Sequence, residues 1–238
     1  MDTDKHKRGW FFAFEGVDCA GKSTQLKLVA EKLRAIGYEV RETREPGGTV
    51  IGESIRKLLL DTKNKEMTGS LTNLLLHNAA RRQSVMEVIA PNREAGKIIL
   101  SDRCFISTLV YQCFAEGVDL DFAKMVCETV MAGYMPDKVF LLDIGIGEMR
   151  ERLNIRGNAQ GDRYDGMGLE FHNKIRNGYL NLCDYYPDLM EKIGAEKPRE
   201  NVAIELICKI VSLVDGNHAY ASPTGGHDET KEGTKNAD

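Results

Sequence analysis

Apolar side chains along this chain follow two alternating rhythms. A dense run, Trp10-Phe11-Phe12-Ala13-Phe14, gives way to Leu26, Val29, Leu33 and Ile36, spaced three and four apart up to Gly37. The run has the form of a strand buried on both faces, and the spaced set that of a helix with one apolar stripe. A second run inside GYEVRETREPGG is ended by proline and glycines, so the chain opens β-α-β. Helical spacing resumes through IGESIRKLLL and LTNLLLHNAARRQSVMEVIA, and KIILSD predicts a third strand. DFAKMVCETVMAG predicts a helix and DKVFLLDI a fourth strand. Arg150 to Leu153 continue as helix before IRGNAQGDRYDGMG breaks into a polar, glycine-rich loop long enough to move. LEFHNKIRNGYLNLCDYY returns to helix, and NVAIELICKIVSLV closes the pattern with Ala203, Ile207, Ile210 and Val214 on one face. Strands alternating with helices predict an α/β domain whose parallel sheet is covered on both faces.

Composition narrows this picture. With 238 residues, 42% of them hydrophobic, the chain can bury one sizeable core. The net charge of -4 sets up no overall field for nucleic acid or an anionic membrane, so any anion site must be local. The six cysteines have no CxxC pair, which fits reduced thiols better than zinc or a disulfide framework. The basic KHKR precedes an apolar run that Glu15 cuts short, so no signal peptide is predicted, and no run approaches a membrane span. Residues 1–9 read as an N-terminal extension and 10–215 as the domain. The polar tail Gly216 to Asp238 is expected to be disordered.

Chemistry enters at AFEGVDCAGKST. Gly16, Gly21, Lys22 and Ser23 satisfy GxxxxGK[ST], between a predicted strand and a predicted helix. Glycines let consecutive N–H groups face phosphate oxygens, and the helix N-terminus adds its positive end. Lys22 is expected to reach the terminal phosphates and Ser23 to hold Mg²⁺. The fold class is therefore a P-loop NTPase-type three-layer α/β/α arrangement with about five parallel strands. A guanine reader is missing, because the Asn-Lys pairs in NKEM and NKIR lack the aspartate, and DGMG does not follow a strand.

EGVDCAGKST, TREPGG, AARRQ, DRCFISTLVYQ, PDKVFLLD and GDRYD occur in that order, and with them the chain resembles the thymidylate kinases from about Gly9 to Val214. The resemblance implies ATP-dependent phosphorylation of dTMP to dTDP in dTTP biosynthesis, with Mg²⁺ assisting in-line transfer. ATP would lie on Gly16, Val17, Asp18, Cys19, Ala20, Gly21, Lys22, Ser23 and Thr24, with Arg152. Arg103 and Arg56 would hold the acceptor phosphate, and Arg81 and Thr108 would lie by thymine. Tyr111 would pack on deoxyribose, and Pro46, His77 and Gln112 would complete the dTMP site. His77 stands where the family usually has a stacking phenylalanine. Asp18 would lie between the sugar 3′-hydroxyl and the phosphates. With no arginine in the P-loop, a lid at about 154–167 would supply cations from Arg152, Arg156 and Arg163, as in the bacterial type. Lys22, Asp18, Arg103, Arg156 and Arg163 would form the catalytic set.

The resemblance further implies a cis bond before Pro46 and a cytoplasmic homodimer, for which Leu71 to Ile89 and Phe105 to Phe114 offer apolar helical faces. A fifth strand is expected near LMEKIGAE, short or irregular because that segment is charged. The alternatives are a kinase for another nucleoside monophosphate or a deoxynucleoside, and a nucleotide-dependent regulatory module.

Overall fold

A computed structural model describes residues 8–61, 69–156 and 167–216. The strands β1 (Trp10–Glu15), β2 (Val40–Arg44), β3 (Ile98–Asp102), β4 (Lys138–Asp143) and β5 (Met190–Gly194) form one sheet in the order β2-β3-β1-β4-β5. All neighbouring pairs are parallel. Phe11, Phe12, Ala13 and Phe14 of central β1 are fully buried, which is why that strand reads as an unbroken apolar run. Phe12 and Phe14 meet the Phe140 ring of β4, both at 6.1 Å between centroids. Phe11 joins a smaller cluster with Val85, Ile89, Ile99 and Met131.

The edge strands are polar. β2 buries little besides Thr43, and β5 buries Met190 and Ile193 while Glu191 stays partly exposed and pairs with Lys209. β5 is short, as expected, but regular, running in register from Val139↔Met190 to Asp143↔Gly194. Its charged residues belong to an edge strand with one neighbour only, of which Met190 and Ile193 are buried.

Parallel pairing requires crossovers, and helices supply them. α1 (Lys22–Ala35) follows β1, and α2 (Val50–Leu60) and α3 (Ser70–Ser84) follow β2. α3 runs through a π-helical segment, Val85–Ile89, into α4 (Ala90–Glu94). After β3, α5 (Phe105–Thr108) passes directly into a second π-helical segment, Leu109–Ala115, followed by α6 (Leu120–Met131). α7 (Ile146–Arg156), α8 (Leu169–Tyr185) and α9 (Arg199–Gly216) complete the described helices. Two sequence expectations need correction. Ile36 lies beyond α1 and is 60% exposed, because the chain turns at Gly37, whose φ of 104° suits glycine. Ile155 and Arg156, expected to begin a loop, belong to α7.

At the edge where the strands begin, Gly9 N–H donates to the Arg93 carbonyl at 2.6 Å, and Tyr38, just before β2, donates to Asp215 at the end of α9 at 2.6 Å. No described helix is long and apolar enough to cross a membrane, and all six thiols are free.

Candidate active site

The polar motifs gather at the opposite edge, where β1, β2 and β3 end. The P-loop leaves β1 through Gly16 at φ 143°, where a Cβ would stand 2.5 Å from the Leu142 carbonyl oxygen, so glycine is required. Cys19 and Gly21 also take positive φ, 61° and 91°. Lys22 opens α1 and folds back, its Nζ donating to the carbonyls of Gly16 and Val17 at 3.1 and 2.9 Å. Burial and the charge of Arg103 pull the Lys22 pKa below its ordinary value, against Asp18, Asp102 and Glu15. Ser23 donates its hydroxyl to the Asp102 carboxylate at the end of β3. Asp18, Cys19, Gly21, Lys22, Ser23 and Thr24 line a wide cleft together with Arg44, Arg56, Asp102, Arg103, Arg152 and Arg156. Gly16, Val17 and Ala20 lie behind it, with the Val17 and Ala20 side chains in the core.

A second, tighter pocket adjoins this cleft. It is lined by Asp18, Pro46, Arg56, His77, Arg81, Arg103, Thr108, Tyr111 and Gln112, all nine residues expected around dTMP, and by Glu45, Leu60, Cys104 and Ser107. The REPGG turn forms one wall. Its Glu45–Pro46 bond is cis, Thr49 caps α2 by accepting from Gly52 N–H, and Arg56 donates to the Pro46 carbonyl at 2.9 Å. Arg44 grips Glu53 through two hydrogen bonds, at 3.2 and 2.8 Å.

Arg81 is only 2% exposed, and four groups hold it: Glu45 at 2.8 Å, Asn78 at 2.7 Å, Thr108 at 2.8 Å and the Cys127 sulfur at 3.6 Å. Burial works against its charge, yet Glu45 keeps its pKa above the ordinary value. Burial raises the Glu45 carboxyl in spite of Arg81. The π-helical segment after α5 widens the turn that carries Tyr111 and Gln112, a distortion common at functional sites. Gln112 is fully buried, and neither end of its amide has a partner among the described residues.

Arg103 joins the pocket to the cleft. Its Nη2 donates to Asp18 at 2.7 Å, and its guanidinium lies 5.3 Å from the centre of the Tyr111 ring. Burial would raise the Asp18 carboxyl, but Arg103 and Lys22 outweigh it and hold the pKa below the usual carboxylate value. On the other wall, Arg152 bonds Glu148 at 2.6 Å, the Cys19 carbonyl at 3.4 Å and the Ala195 carbonyl at 3.0 Å, tying α7 to the P-loop and to the turn after β5. Arg156 lines the cleft at the end of α7. Arg163 and most of the expected lid lie outside the described residues.

Several site residues were not assigned from sequence. Glu45 and Asp102 sit inside quoted motifs, and an acid ending the strand beside the P-loop strand is a readable signal for a metal-binding carboxylate. Glu15 and Tyr179 carried no such signal, because their partners lie far away in the chain.

Chemically, the adjoining cavities can hold two anions side by side. Ser23 and Asp102 suit a hard divalent cation completed by phosphate oxygens. No group of three or more His, Cys, Asp or Glu side chains among the described residues could hold a metal unaided.

Comparison with known proteins gives a consistent result. Residues 14–206 match the family model described as Thymidylate kinase. Halothermothrix orenii thymidylate kinase is 39% identical over 206 residues, covering 85% of this chain and 97% of the relative. The Geobacillus thermodenitrificans thymidylate kinase is 38% identical over 212 residues, covering 89% and 94%. The crystal structure of thymidylate kinase from Ehrlichia chaffeensis superposes with a TM-score of 0.68 at 30% identity, covering 85% of this chain and 99% of that one.

Proposed function

Since the chain belongs to the thymidylate kinase family, we propose that it transfers the γ-phosphoryl group of ATP to dTMP, giving dTDP and ADP, through the two adjoining cavities described above. One observation carries this reading: the pocket and the P-loop cleft share Asp18, Arg56 and Arg103. Transfer between two phosphates needs fixed cations between two mutually repelling anions, and a regulatory binding module needs no second anion site.

In this reading Lys22 and the loop N–H groups hold the terminal phosphates of ATP, and Arg103 and Arg56 neutralise the acceptor phosphate. An oxygen of dTMP attacks the γ-phosphorus in line while the bond to the ADP oxygen breaks, and no general base is needed. Asp18 holds Arg103 in place and faces the sugar hydroxyl. Ser23 and Asp102 would hold Mg²⁺, whose contribution is charge neutralisation on the phosphates. Arg152, Arg156 and Arg163 supply cations from the donor side, in and around a lid at about 154–167 that belongs to a catalytic unit spanning 10–215.

The unpartnered Gln112 amide supports thymine as the base. It offers one acceptor and one donor, and the Watson–Crick edge of thymine presents the N3–H donor beside the O4 acceptor. Arg81 and Thr108 back that edge, His77 stacks, and Tyr111 packs against deoxyribose where a 2′-hydroxyl would crowd. A coupled ADP-release assay over dTMP, dUMP, dCMP, dGMP and thymidine tests the assignment. dTMP should give the highest kcat/KM, and a preference for any other acceptor moves the enzyme to the neighbouring kinase class.

The protein also acts as a homodimer in this reading. Leu71 and Leu75 on α3, 51% and 50% exposed, and Phe114, 37% exposed, are large apolar side chains left unburied. Light scattering at micromolar concentration should give about twice the 26.6 kDa chain mass, and a single-chain mass rejects the dimer. The free thiols fit a reducing cytoplasm.

A further inference from the structure

Arg103 carries the acceptor side of the mechanism in an unfavourable backbone state, at φ 75°. Such a conformation persists only when its surroundings over-determine it, and the surroundings are specific. Its Nη1, which carries two hydrogens, faces three acceptors and shares one hydrogen between two of them: the Tyr179 hydroxyl at 2.9 Å, Ser107 Oγ at 3.0 Å and the Gly16 carbonyl at 3.3 Å.

Those two hydroxyls have a common owner. Glu15, fully buried at the end of β1, accepts from Tyr179 at 2.8 Å and from Ser107 Oγ at 2.7 Å through Oε2. Its Oε1 accepts from the N–H groups of Cys104 and Ser107 at 2.8 and 3.1 Å. A hydroxyl has one hydrogen. The two hydroxyls also lie 2.9 Å from each other, and Glu15 Oε2 lies 3.8 Å from Arg103 Nη1; with the hydroxyl hydrogens given to the carboxylate, Tyr179 and Ser107 present lone pairs to the guanidinium. Neither Glu15 nor Tyr179 lines either cavity.

We propose that Glu15 and Tyr179 are positioning residues for the acceptor phosphate: Glu15 orients the Tyr179 and Ser107 hydroxyls, and these pin one edge of Arg103 so that it meets the phosphate in a fixed orientation. The proposal rests on Arg103 being the phosphate ligand and adds how that ligand is aimed. It also ties the acceptor site to α8, the helix that carries Tyr179.

The test uses Tyr179→Phe in the full chain, which keeps the ring of a residue only 1% exposed and removes only the hydroxyl. Loss of one hydrogen bond to a charged group should raise the KM for dTMP by about tenfold. Thymidine, which lacks the phosphate, should keep its competitive inhibition constant, and the KM for ATP should not move. In an Arg103→Ala background the added Tyr179→Phe change should shift the dTMP KM by less than about twofold, since residues acting as one unit are not additive. Glu15→Gln should give the same selective loss of dTMP.

An unchanged dTMP KM in Tyr179→Phe overturns the proposal, as does equal weakening of dTMP and thymidine, the mark of a merely structural role. If Arg103→Ala itself leaves the dTMP KM unchanged, the phosphate assignment of Arg103 fails first and this proposal with it.

Discussion

The acceptor pocket and the donor cleft meet at Arg103 but are built in opposite ways. In the pocket the two central arginines are already bonded to neighbouring side chains: Arg81 to Glu45, Asn78 and Thr108, and Arg103 to Asp18, Ser107 and Tyr179. In the cleft Lys22 is buried, but the cations of α7 stand nearer the surface. Arg156 is exposed at the end of α7, and Arg152 is braced by two backbone carbonyls and Glu148. A preformed pocket discriminates substrates before chemistry, because its dipoles need no reorganisation. Cations at a helix end can be recruited as charge develops, and they exclude water only when the site closes.

The contrast predicts that damage to the cleft reduces rate while damage to the pocket reduces binding and stability. The largest effect is expected from Lys22→Ala, which should lower kcat by about 10³-fold or more with a much smaller change in thermal stability, since its hydrogen bonds go to the loop carbonyls of Gly16 and Val17. Steady-state kinetics with a melting curve check it, and normal turnover removes the P-loop assignment.

Arg156→Ala and Arg163→Ala come next. Each should reduce kcat by up to ~10³-fold with dTMP affinity, measured by calorimetry, left nearly intact, the pattern of an interaction that matures in the transition state. Arg152→Ala should split its effect between kcat and stability. Rates within about threefold of wild type in all three variants would mark them as solvated surface charges.

On the pocket side, Arg81→Ala should cost about 3–5 kcal/mol of stability by leaving Glu45 buried without its counter-charge, and should weaken dTMP more than ATP. Denaturant unfolding reads the first effect. A stable variant with a purely kinetic defect would erase the distinction between the two regions.

The smallest effect expected is pH-dependent. The folded-state pKa of Asp18 lies below the ordinary value, so its stabilisation is complete above about pH 4 and fades as pH falls through the folded value. Asp18→Asn should therefore lower Tm at pH 7 and converge on wild type in acid. A constant offset across that range would show that the charge interaction with Arg103 contributes nothing.

Periodicity revealed the layers because β1, β3 and β4 are buried on both faces and α8 and α9 on one. It was weakest at β5, where Met190 and Ile193 alone face inward. The P-loop and the arginines were legible as motifs, although AARRQ does not say that Arg81 turns inward while Arg82 reaches the Val130 carbonyl at the surface. Glu15 read as the end of an apolar run. Its role depends on donors 89, 92 and 164 residues away, and only folding brings them together. The π-helical turn that aims Gln112 likewise leaves no trace in a 3.6-residue pattern.

The parallel sheet also has a practical consequence. Every strand starts at one edge and ends at the catalytic edge, and the outermost described residues, Arg8 with Gly9 and Asp215 with Gly216, are fastened at the starting edge through Arg93 and Tyr38. An affinity tag, fluorophore or surface tether attached through either end of the described fold therefore leaves from the side away from the cleft. Immobilised on a sensor chip by either end, the protein should present both nucleotide cavities to the flow and bind dTMP as it does in solution.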